Sequence, residues 1–105
     1  MRTVAFLSVA PVIEGSMAEE VAKAIEALEA FDVEYETTSM GTIIEAEDPQ
    51  TIFDAAGAAH EAVDADRVST FLKIDDQLGR AGPAARKVES VERYLQRPAR
   101  SRSDR

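Results

Sequence analysis

With 105 residues, 45% of them hydrophobic and 30% charged, the chain supplies one small domain and little room for a second. No stretch approaches the roughly 20 apolar residues that cross a bilayer, and zero cysteines exclude disulfides, thiolate metal sites and thiol nucleophiles together. The net charge of −8 is uneven: residues 1–79 hold 4 basic and 17 acidic side chains, a net of −13, while residues 80–105 hold 8 basic and 3 acidic, a net of +5. An acidic body disfavours nucleic acid and anionic membrane and tolerates cationic ligands. The opening residues lack the basic-then-apolar leader pattern, so a cytoplasmic protein is expected.

Residues 2–10 form a short, β-rich, nearly continuous apolar run, as in a strand covered on both faces. Pro11 stops it and Gly15 closes the loop. Ser16 and Glu19 have capping-box spacing, and Val21, Ile25 and Leu28 recur at helical spacing beside Ala24 and Phe31, predicting an amphipathic helix over 17–31. Val33 to Thr38 alternates as a half-exposed strand. Gly41 marks a turn, and Thr42 to Glu47 reads as the hairpin partner. Asp48-Pro49 is a helix start, with the carboxylate as N-cap and proline at N1. An alanine-rich helix follows over 49–64, its stripe drawn through Ile52, Phe53, Ala56, Ala59, His60 and Val63. Arg67 to Asp75 is the last strand, with Val68, Thr70, Leu72 and Ile74 on one side and Ser69, Phe71 and Lys73 on the other. Gly82-Pro83 opens a further helix, which makes residues 81–96 an added C-terminal helix. Residues 97–105 read as a disordered basic tail, either a solubilising end or a docking arm for an acidic partner.

The order β-α-β-β-α-β predicts an α+β, ferredoxin-like domain over 1–80: a four-stranded antiparallel sheet with two helices on one face. The first and last strands are expected at its centre. Because the first strand is apolar on both sides, the open face should carry Val4, Phe6, Ser8 and Phe71. Such a face argues for cover by a ligand or by another copy of the chain, as a homodimer or homotetramer through sheet faces or edges.

Chemistry-bearing patterns are sparse. No nucleotide-binding, nucleophile-elbow or metalloprotease motif is present, and the lone His60 lies mid-helix without a nucleophile nearby. Asp75-Asp76 could hold a divalent metal but reads more simply as a solvated strand end. The segment Ser39 to Asp48 is the most informative, because a carboxylate in an apolar strand needs either water or a partner. The pleat sends Glu45 to the face of Ile43. There Ser8, Ser69 and Phe71 are candidate neighbours for a flat, nitrogen-rich cationic ligand, with Thr42 as a further hydroxyl. The alternative is a partly exposed glutamate on an edge-proximal strand.

The opening strand ending in Pro11, the Gly15-Ser16 helix start, Met40-Gly41-Thr42 through Glu45, Arg67-Val68 and Lys73-Ile74-Asp75-Asp76 together resemble the small YkoF-like thiamine-binding proteins, a family long catalogued as uncharacterised. The resemblance covers residues 3–80. It implies a ferredoxin-like fold, a homotetramer of sheet-paired dimers, and non-catalytic binding of thiamine or its hydroxymethylpyrimidine part with no required cofactor. It also implies ligand contacts at Thr42, Glu45 and near Ser8. Two departures stand out: Gln77 replaces the family's arginine after the Asp-Asp pair, and the loop between Pro11 and Gly15 is altered. Against this reading stand a protein-interaction or regulatory module without a small ligand and a cofactor-free enzyme. The latter is the weaker, since no acid–base pair is evident.

Overall fold

The computed structural model describes residues 2–77 and 91–95. Its elements are β1 (Thr3–Pro11), α1 (Ala18–Ala27) running into a 3₁₀ turn (Leu28–Ala30), β2 (Glu34–Thr37), β3 (Thr42–Ala46), α2 (Pro49–Ala62) and β4 (Val68–Asp76). Residues 91–95 are helical, inside the predicted C-terminal helix. The rest of that helix, the Gly82-Pro83 start and the tail lie outside the described residues.

The four strands form one antiparallel sheet in the order β2-β3-β1-β4, the ferredoxin-like arrangement. The expectation that the first and last strands are central holds for β1 only; β3 is the other central strand and β4 is an edge. The hairpin fixes the difference. β3 must lie beside β2, and each crossover connects parallel strands one position apart. β3 therefore fills the gap between β1 and β2, and β1 fills the gap between β3 and β4.

The pleat of β1 sorts its residues by face. Thr3, Ala5, Leu7, Val9 and Pro11 are buried beneath the helices, while Val4, Phe6, Ser8 and Ala10 are half-buried on the open face. β3 does the same, with Thr42, Ile44 and Ala46 buried and Ile43 and Glu45 half-exposed. The core joins Leu7, Leu28, Ile44 and Ile52 to a bed of alanines, Ala24, Ala55, Ala56 and Ala59. Each large aliphatic chain buried there contributes about 1.5–3 kcal/mol. Small residues on the facing helices let α1 and α2 pack close to each other and to the sheet.

Helix ends depart from expectation: α1 gives way to the 3₁₀ turn after Ala27 instead of running to 31, and α2 stops at Ala62 instead of 64. α1 begins one residue later than predicted: Met17 occupies the N-cap without a side-chain cap, and the Ser16 hydroxyl instead accepts from the Ala18 N–H at 3.2 Å. Glu20 accepts from Lys23 Nζ on its own helix at 2.7 Å and from the Asp64 backbone N–H, just past α2, at 2.7 Å. Those bonds hold its carboxyl below the usual range. α2 starts as read: Asp48 Oδ1 accepts from the Thr51 N–H at 2.8 Å and the Thr51 hydroxyl at 2.9 Å, with Pro49 next. Its buried stripe is Ile52, Ala55, Ala56 and Ala59. Phe53, expected in that stripe, is 54% exposed, because residue 53 falls about 100° around the helix from Ile52.

Candidate functional site

The hairpin between β2 and β3 is built around Thr38 and Gly41. The Thr38 hydroxyl donates to the Gly41 carbonyl at 2.8 Å and accepts from the Met40 and Gly41 N–H groups at 3.2 and 3.3 Å. Its bonding capacity is thus spent inside the turn. Gly41 is required by contact: a Cβ there would stand 2.5 Å from Phe6 Cζ and 2.9 Å from the Leu7 carbonyl oxygen. The Phe6 ring occupies the space a side chain would take. One residue on, the pleat turns Thr42 inward, where it is buried at 5% exposure.

Thr42 faces a cavity of about 230 Å³ between α1, the end of β1 and the hairpin. Its floor is Leu7, Val9, Ala24 and Leu28; Val21 and Ile25 of α1 form one wall, and Thr37 to Thr42 form the other. Ala24 is the small residue on the helix face that leaves the space open. Met17 and the 78%-exposed Met40 stand at the cavity. This volume lies below the roughly 300–1,000 Å³ of pockets that take drug-sized ligands, and it suits a single ring. With Thr38 committed to the turn, the hydroxyl-bearing lining residues outside that turn network are Ser8, Thr37, Ser39 and Thr42.

The five residues singled out from sequence do not converge on one pocket. Thr42 and Glu45 are three apart on a strand, so they point to opposite faces: Thr42 toward the cavity, Glu45 toward the open face. On that face Ser8 and Phe71 are register partners and Ser69 pairs with Ala10, which groups these three. Glu45 pairs with Val4, four residues from Ser8, or about 13 Å along the strand. Ser8 reaches the cavity as a lining residue of β1, while the pleat assigns its side chain to the other face.

The open face is apolar at its middle. Phe6 and Phe71 meet edge-to-face with centroids 6.3 Å apart, Ile43 and Val4 flank them, and Phe71 is 59% exposed. Carboxylates border this patch, with Glu34 opposite Glu45 and Glu36 opposite Ile43 on the β2 edge.

The other acidic candidates have structural partners. Asp76 accepts from Arg2 Nε at 2.8 Å and from the buried Thr3 hydroxyl at 3.1 Å, which ties the ends of β1 and β4 together. Among the described residues no cluster of three or more metal-ligating side chains occurs, and no helix is long and apolar enough to cross a membrane. His60 Nδ1 lies 2.6 Å from Thr70 Oγ1 and joins α2 to β4.

The model of the thiamine-binding protein family matches residues 5–92. The chain belongs to the thiamine-binding protein family. A UPF0045 protein of Methanothermobacter thermautotrophicus is 46% identical over 83 residues, which span 76% of this chain and 84% of that one. A second, from Methanocaldococcus jannaschii, is 37% identical over 93 residues, spanning 86% and 92%. The crystal structure of a hypothetical protein of Methanocaldococcus jannaschii superposes with a TM-score of 0.78 at 38% identity, covering 87% of this chain and 97% of that one. A Thermotoga maritima protein assigned provisionally to thiamine biosynthesis or salvage gives 0.73 at 23% identity, covering 87% and 99%, and so shares the fold. Of the residues lining the cavity, the sequence singles out Ser8, Thr42 and the Met40-Gly41 turn. It does not point to the cavity's helix wall or to Met17. The one signal for Met17 is its position just ahead of the helix.

Proposed function

We propose that this thiamine-binding family member binds thiamine or its hydroxymethylpyrimidine moiety without catalysis and without a required cofactor. The single supporting observation is the hydroxyl-edged apolar cavity behind Met40-Gly41-Thr42. A flat aminopyrimidine can lie between Val21 and Ile25 on one side and the hairpin on the other, with Leu7 and Val9 beneath it. Ring burial supplies the affinity, and the Thr42 hydroxyl exchanges a hydrogen bond with a ring nitrogen or exocyclic amine. The second ring of thiamine would pass out beside Met17 and Met40, whose thioethers pack well on aromatic edges.

In this reading the protein works in the cytoplasm as an assembly of identical chains, a dimer or a tetramer, with no nucleic-acid or membrane partner. Ser8, Ser69, Phe71 and Glu45 belong to the face that a second copy covers. The apolar middle of that face also supports a second reading, an interaction module in which the sheet buries protein and no small ligand is needed.

Calorimetry with thiamine and with hydroxymethylpyrimidine decides between them. Saturable binding is expected, weakened about tenfold by Thr42→Val and unchanged by Glu45→Gln. Loss of binding in Glu45→Gln but not in Thr42→Val moves the ligand to the open face. No heat at millimolar ligand removes the binding function and leaves the interaction module.

A further inference from the structure

Resting on the binding reading above, we infer that the cavity selects the unphosphorylated ligand and discriminates against its phosphate esters. A site that accepts a phosphoryl group presents lysine, arginine or clustered unsatisfied N–H donors to it. Among the described residues, none that lines this cavity is basic. The five described cations are placed elsewhere: Arg2 binds Asp76 at the far end of the sheet, Lys23 binds Glu20, Lys73 lies opposite Phe6 on the open face, and neither Arg67, just before β4, nor Arg93, in the helical segment 91–95, lines the cavity.

Beside the cavity the N-terminus of α1 is a poor anion site, with one of its N–H groups already engaged and an acidic first turn. Met17 caps α1, but the Ala18 N–H is taken by Ser16, and the first turn carries Glu19 and Glu20. Glu14 adds a third carboxylate in the preceding loop. A dianionic phosphate at the cavity mouth would enter the field of a chain of net charge −8, with −13 of it carried by residues 1–79, without hydrogen bonds from described basic side chains to compensate its desolvation. The same field favours the cationic thiazolium of thiamine itself. The ligand class is therefore the free alcohol, thiamine or hydroxymethylpyrimidine, rather than either phosphorylated form.

The test is calorimetry on the full chain at low salt with four ligands: thiamine, thiamine diphosphate, hydroxymethylpyrimidine and its monophosphate. A neutral ester of thiamine serves as a size control. Each phosphorylated ligand is expected to bind at least tenfold more weakly than its parent alcohol, the gap narrowing as salt rises, and the neutral ester to bind within a few-fold of thiamine. Ser39→Lys should raise the affinity of the phosphorylated form relative to the alcohol by several-fold. Phosphorylated ligands binding as tightly as the alcohols overturn the inference while leaving the binding function in place. An equally weak neutral ester overturns it too, by assigning the loss to size. If none of the four binds, both fall together.

Discussion

Replacing Gly41 with alanine tests how the hairpin is seated on the sheet. The new Cβ would lie 2.5 Å from Phe6 Cζ, 3.0 Å from Phe6 Cε1 and 2.9 Å from the Leu7 carbonyl oxygen, all well inside the roughly 3.5–4.0 Å of a favourable carbon contact. The ring can swing, at the expense of its edge-to-face contact with Phe71. The Leu7 carbonyl cannot, because it belongs to a central strand paired on both sides. Overpacking of this kind costs about 1–3 kcal/mol, and one of the two clashes is with backbone, so about 2–3 kcal/mol is expected. For a domain of this size that lowers the melting temperature by roughly 8–20 °C. Urea unfolding at fixed protein concentration measures it. In a Phe6→Leu background the ring clash is gone, and the cost of Gly41→Ala should fall by about 1 kcal/mol. A cost below 0.5 kcal/mol in the parent protein, or no change in the Phe6→Leu background, would refute the contact argument.

Three further outcomes follow from the same geometry. Ala24→Leu projects a larger side chain into the cavity floor and should reduce binding of hydroxymethylpyrimidine more than tenfold while circular dichroism shows a folded protein; undiminished affinity places the ligand elsewhere. Asp48 has its carboxyl held below the ordinary value of 3.8, chiefly by the Thr51 backbone N–H and then by the Thr51 hydroxyl. Its contribution to stability is therefore complete above that ordinary value and is lost as pH falls through the lowered one. Asp48→Ala should accordingly lower the melting temperature at neutral pH, and the difference from the parent should shrink on acidification below pH 4. Phe71→Asp puts a charge in the middle of the open face, and light scattering should show a lighter particle than the parent; an unchanged mass locates the interface on another surface.

The fold was legible because hydrophobic period and capping chemistry agreed along most of the chain. The pleat of the apolar β1 and the alternation of β4 sorted their residues between the two sheet faces, and Asp48-Pro49 located the start of α2 to the residue. The strand order was harder: nothing local in Thr3–Pro11 or Val68–Asp76 says which of them is an edge, because that follows from how the two crossovers interleave. Ser16 misled for a local reason. It bonds the Ala18 N–H just ahead of the helix, so its cap-like spacing was real and its position off by one. The candidate site was half legible. Met40-Gly41-Thr42 marks the hairpin, yet a motif written along a strand hides the pleat that separates Thr42 from Glu45. The cavity itself is lined jointly by Ala24 of α1 and by Leu7 and Val9 of β1, residues distant in the chain.

The most direct test of the account maps the ligand by backbone amide shifts in a titration with hydroxymethylpyrimidine. The largest changes are predicted at Thr37 to Thr42 and at Met17, Val21 and Ile25. Changes confined to Glu45 and to Ser69 through Phe71, or none at saturating ligand, would contradict it.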